Sequence, residues 1–118
     1  MMILKSDGKA IASDVEFAKS LVSQTRGLMF RKKISDDYAL VFVLAKPRVI
    51  SIHMLFVRFP IDVLFLDENK RIVKTARLRP WTGLASSSEK IKYMIEMPEG
   101  SIQKNGLVVG ERLTFDVP

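Results

Sequence analysis

The residues that could do chemistry are few. One histidine, His53, and no cysteine among 118 residues exclude a two-histidine zinc helix and every thiolate-based tetrahedral site, so no metal or other cofactor is expected. With no Gly-x-Ser-x-Gly elbow, a Ser-His-Asp triad would have to be assembled from distant residues. The six glycines form neither a dinucleotide-binding fingerprint nor a phosphate loop, which disfavours nucleotide hydrolysis.

Two carboxylates stand out. Asp62 alternates with Leu64 and Leu66, an acid on an apolar-looking strand face. Such a group must be hydrogen-bonded or paired. Its functional reading is a pocket carboxylate facing Arg26 or Arg31; its structural reading is a strand-start acid accepting turn N–H groups. Glu96 shares a face with Lys92, which reads as a solvated cross-strand pair. If Asp62 and Glu96 converged, they could bind a hard divalent ion or work as an acid–base pair.

The cations fall into two acid-free clusters, Arg26-Arg31-Lys32-Lys33 and Lys70-Arg71-Lys74-Arg77-Arg79. Period-two geometry places Arg71, Arg77 and Arg79 on one strand face, followed by Trp81: either a track for an anionic ligand or a solvated strand edge. Residues 1–59 carry ten Lys/Arg against five Asp/Glu, and the net charge is +6. Nucleic acid is therefore not excluded, although aromatic residues that could stack on bases are sparse and most Phe occupy core-like positions.

These groups must be positioned by a β-rich scaffold. Asp7-Gly8 joins two short strands, Met2–Lys5 and Lys9–Ala12. A third strand is expected to about Ala18, then a helix from Ser20 to about Met29. The run Ala39–Ala45, apolar on both faces, predicts a central strand ended by Lys46-Pro47, and Val49–Phe59 a second long run. Ile61–Leu66 and Arg71–Leu78 form a hairpin through Asp67-Glu68-Asn69-Lys70. Pro80–Glu89 reads as a surface loop, Ile91–Met97 and Leu113–Val117 as half-buried strands, and Ser101–Asn105 as a helical turn stopped by Gly106. Seven or eight short strands with one covering helix predict a single, mostly β domain spanning 1–118, a compact antiparallel barrel or sandwich.

The longest apolar run, seven residues, is far below the roughly 20 that span a bilayer, and the N-terminus lacks the apolar core of a signal peptide. A cytoplasmic address without membrane partners is the expectation.

Arg26-Gly27-Leu28-Met29-Phe30-Arg31, Met54 with Pro60–Asp67, Ile95-Glu96-Met97-Pro98-Glu99-Gly100 and the tail Gly106–Glu111 together resemble the domain-of-unknown-function family numbered 192. The resemblance implies a compact β-rich fold and no assigned activity. Many members carry Trp-Met-Lys-Asn-Thr where this chain has His53-Met54-Leu55-Phe56-Val57, so polar side chains are replaced by apolar ones. The residues leave three functional readings: a non-catalytic binding domain for an anionic ligand, a carboxylate-based enzyme or divalent-ion site, and a structural or protein-interaction domain.

Overall fold

The computed structural model describes residues 2–19 and 27–118. Arg26 and residues 20–26 of the expected helix lie outside them. Residues 27–30 form a turn, so the helical reading does not hold for Leu28 and Met29.

The strands are β1 (Ile3–Leu4), β2 (Ala10–Ala12), β3 (Asp14–Ala18), β4 (Tyr38–Arg48), β5 (Ser51–His53), β6 (Ile61–Leu66), β7 (Ile72–Leu78), β8 (Leu84–Ser86) and β9 (Ile91–Pro98), followed by helix α1 (Ser101–Asn105). The domain is mostly β. A five-stranded sheet of order β3-β4-β9-β6-β7 forms its centre, flanked by the two-stranded sheets β1-β2 and β5-β8. The central sheet is open, with β3 and β7 at its edges. The β3–β4 pair is parallel, unlike the all-antiparallel arrangement expected, because 19 residues separate Ala18 from Tyr38 and a long connection can return the chain to the same end.

The apolar runs that feed this sheet are continuous because it is covered on both sides. All six residues of β6 are buried. Directly opposed residues share a face, so Phe42, Met94 and Phe65 line one side while Val41, Ile95 and Leu64 line the other. On the first side the core is completed by Leu28, Ile52, Met54 and Val57 from the loops and β5. On the second it is completed by Ile3 and Ile11 of the terminal hairpin and by Leu107, Leu113 and Phe115.

Several local expectations change. Pro47 does not end β4, which runs to Arg48 across a bulge between Val43 and Arg48 that leaves a gap in the ladder for a residue lacking an N–H. Only Ser51–His53 of the following apolar run is strand; the remainder forms turns closed by Val57 N–H donating to Met54 O at 3.0 Å. The Ser-rich loop contains β8, which pairs with β5. Leu113–Val117 buries Leu113 and Phe115 but makes no strand, being joined to the rest by single bridges such as Leu4 to Thr114. Gly8 supplies the positive φ of the first turn, and Gly106, at φ 61, caps α1.

Candidate functional site

The register of β6 and β9 decides the fate of the two carboxylates. Asp62 opposes Met97 and Val63 opposes Glu96, so the acids project from opposite faces of the sheet and share no site. Asp62 is fully buried. Its Oδ2 accepts the N–H of Ile102 at 2.9 Å, and Arg77 Nε stands 3.7 Å from Oδ1. That is the strand-start acceptor role, with the N–H supplied by the first turn of α1.

Glu96 is not the solvated acid that its alternation with Lys92 suggested. It is 5% exposed, because β9 is central and covered on both faces. Its Oε1 is buried with no hydrogen-bonding partner. Burial pushes its pKa from an ordinary 4.5 to about 8, an effect that the positive charge of Arg31 partly offsets. The neutral acid, a hydrogen-bond donor, is therefore the dominant form near neutrality.

Glu96 forms part of the wall of a cavity of about 240 Å³ on the β4/β9 face. Leu28, Phe42, Leu44, Ile52, Val57 and Met94 provide apolar wall. Arg48 and His53 also line it. Arg48 opposes Ile91, five residues along β9 from Glu96, which sets the backbone positions of the two residues about 16 Å apart along the strand. His53 Nδ1 accepts the N–H of Leu55 at 3.2 Å, so the neutral ring carries its proton on Nε2.

The remaining expected site residues are dispersed. Arg31 donates to Glu16 at 2.9 Å, lies 5.3 Å from the ring centre of Tyr38, and by that hydrogen bond holds Glu16 below its usual range. Arg71 precedes β7 and donates to Gly110 O at 3.2 Å. A bulge opposite Phe65 and Leu66 upsets the alternation: Ile72 faces with Leu66 and Thr75 with Leu64, so Arg71 does not share the face of Arg77. Arg77 and Arg79 are exposed. Trp81 is 49% exposed and packs edge-on against Phe56 at 5.4 Å, while Phe56 stacks on Phe30 at 5.0 Å. These two Phe are exposed, whereas Phe17, Phe42, Phe59, Phe65 and Phe115 belong to the core or pack against it, as expected of most Phe. For Phe56 a signal was present in the sequence, since Leu55 and Phe56 stand where many family members carry Lys and Asn. Arg48 was not singled out, because nothing in the alternation marks a residue beyond a bulge.

Among the described residues no group of three His, Cys, Asp or Glu could hold a metal ion, and no helix is long and apolar enough to cross a membrane.

The same fold occurs in solved structures. A candidate transcription regulator of Sinorhizobium meliloti 1021 superposes with a TM-score of 0.83 over 96% of this chain and 89% of its own, at 22% identity. A protein of unknown function from Novosphingobium aromaticivorans DSM 12444 gives 0.84 over 97% and 82%, at 19% identity. Relatives in sequence include a UPF0127 protein of Pyrococcus furiosus, 38% identical over 98% of this chain and 97% of its own. Another, from Pyrococcus horikoshii, is 37% identical over 85% of both. Residues 2–115 match the family model described as Uncharacterized ACR, and the chain therefore belongs to domain-of-unknown-function family 192.

Proposed function

We propose that this chain is a non-catalytic binding domain that holds a small amphiphilic anion in the cavity over β4 and β9. One observation carries the reading: the buried carboxyl of Glu96 has an oxygen with no hydrogen-bonding partner in the wall of a cavity lined by both apolar and polar residues. Unpartnered buried polar groups are costly and are retained where something else satisfies them. As a neutral acid Glu96 donates to an acceptor on the ligand. The cationic Arg48 and the imidazole of His53 favour an anionic head, and the apolar wall favours a hydrocarbon body. The net charge of the chain, +6, agrees. A cytoplasmic address, consistent with a chain free of cysteine, completes the reading.

The strand-face alternative has less support. The bulge takes Arg71 off the face of Arg77 and Arg79, where it donates to Gly110 O, and Arg77 leans on Asp62, so the expected track of three guanidinium groups is broken.

The test is calorimetry and thermal unfolding with octanoate, octanol and octylamine. Octanoate should bind and raise the Tm, octylamine should not, and Glu96→Met should abolish the octanoate shift. Equal indifference to all three probes would reject the cavity as a binding site, and preference for octylamine would reject the anionic ligand.

A further inference from the structure

A second feature adjoins the cavity, where three turns meet, two of which also give Leu28 and Val57 to its wall. Phe30 N–H donates to Phe56 O at 2.9 Å, Trp81 N–H to Met54 O at 3.1 Å, and Met54 N–H to Gly83 O at 3.0 Å, so residues 27–30, 54–57 and 79–83 are fastened together. Phe30, Phe56 and Trp81 all adopt left-handed backbone, at φ 69, 62 and 66. For bulky residues that conformation is uncommon and costs energy. Here it turns each ring outward into one exposed cluster, with Leu55 at 51% and Leu84 at 76% exposure beside it.

Charge is distributed with equal bias. Residues 27–34, 53–60 and 79–88 contain Arg31, Lys32, Lys33, Arg58 and Arg79 and no Asp or Glu, so all 13 acids lie elsewhere. Lys32, Lys33, Arg58 and Arg79 are exposed.

We propose that this end of the molecule docks on an anionic lipid surface, with Leu55, Phe56, Trp81 and Leu84 entering the interface and the cations resting on headgroups. Aliphatic and aromatic side chains on joined turn tips, with exposed Lys32, Lys33, Arg58 and Arg79 on the same segments, match a boundary that is apolar inside and negatively charged outside. Single-stranded nucleic acid matches less well. Base stacking needs open ring faces, whereas Phe30 and Phe56 cover one another and exposed Leu side chains give bases nothing to stack on. Lying on a surface requires no spanning segment, so the short apolar runs do not oppose it.

Trp81, the only tryptophan, reports on the event. Vesicles of phosphatidylcholine alone, and of equal parts phosphatidylcholine and phosphatidylglycerol, would be added to the full chain at low and high salt. Co-sedimentation and a blue-shifted Trp81 emission are expected with the anionic vesicles only, weakening as salt rises. The double variant Leu55→Ser with Leu84→Ser, both exposed and so tolerated by the fold, should bind at least about tenfold more weakly. Lys32→Gln with Lys33→Gln should weaken binding and flatten its salt dependence. No sedimentation at low salt, binding unchanged by the Leu variants, or displacement of the protein from vesicles by a single-stranded oligonucleotide that quenches Trp81 would each overturn the proposal. None of these outcomes depends on whether octanoate enters the cavity.

Discussion

The carboxylate of Asp62, near the start of β6, accepts the backbone N–H of Ile102 in the first turn of α1 at 2.9 Å, 40 residues away in the chain. This bond ties the helix to the central sheet. It also occupies the acid that the sequence offered as a partner for Glu96. Asp62→Ala should cost about 1–3 kcal/mol in urea unfolding, because it strands a partly buried N–H. Asp62→Asn keeps a carbonyl acceptor and should cost less. Arg77→Gln should change little, since the Arg77 side chain is 59% exposed and its Nε stands 3.7 Å away.

Glu96 makes stability depend on pH in a defined direction. Its folded-state pKa, about 8, exceeds the unfolded value near 4.5, so the folded state binds the extra proton between them. Stability is then fully retained below about pH 4.5 and falls as pH rises toward 8, by up to about 1.4 kcal/mol per pH unit. Urea midpoints measured from pH 5 to 9 should show this decline in the wild type. In Glu96→Gln the same decline should be absent.

Replacing the acid by Glu96→Met should raise the Tm above pH 8 while removing octanoate binding, because an apolar group of similar size carries no desolvation cost. A gain in stability coupled to a loss of binding is the signature of a group kept for its ligand. Loss of both would assign Glu96 a purely structural role.

Truncations probe the two faces of the sheet separately. Ile95 and Phe65 are both fully buried, on opposite sides. Ile95→Ala should cost about 2–5 kcal/mol and Phe65→Ala about 3–5 kcal/mol, read from denaturant midpoints. Phe42→Ala should fall lower, since Phe42 borders space that already exists.

Gly83 joins the turn that carries Trp81 to the turn that carries Phe56. A Cβ there would stand 2.7 Å from Arg79 O and 2.8 Å from Met54 Cγ, with backbone on one side and a buried side chain on the other. Gly83→Ala should cost about 1–3 kcal/mol. It should also shift Trp81 emission, by displacing the ring from Phe56.

The sequence by itself determined the class of the fold and most of its strands. Ile61–Leu66, Ile91–Met97 and the two-sided apolar run in β4 carry their own burial pattern, and Asp7-Gly8 and Gly106 carry turn geometry, so local composition sufficed there. Family membership was legible for the same reason, through motifs quoted residue by residue. Tertiary structure alone decided the sites. One residue of register sends Asp62 and Glu96 to opposite faces, one bulge separates Arg71 from Arg77, and the burial of Glu96 follows from the coverage of β9 by segments remote in sequence. The exposure of Phe30 and Phe56 arose in the same way, from left-handed turns fastened by long-range hydrogen bonds. Alternation along a strand records which residues share a side; only the packing of distant segments determines which sides are covered and what stands opposite.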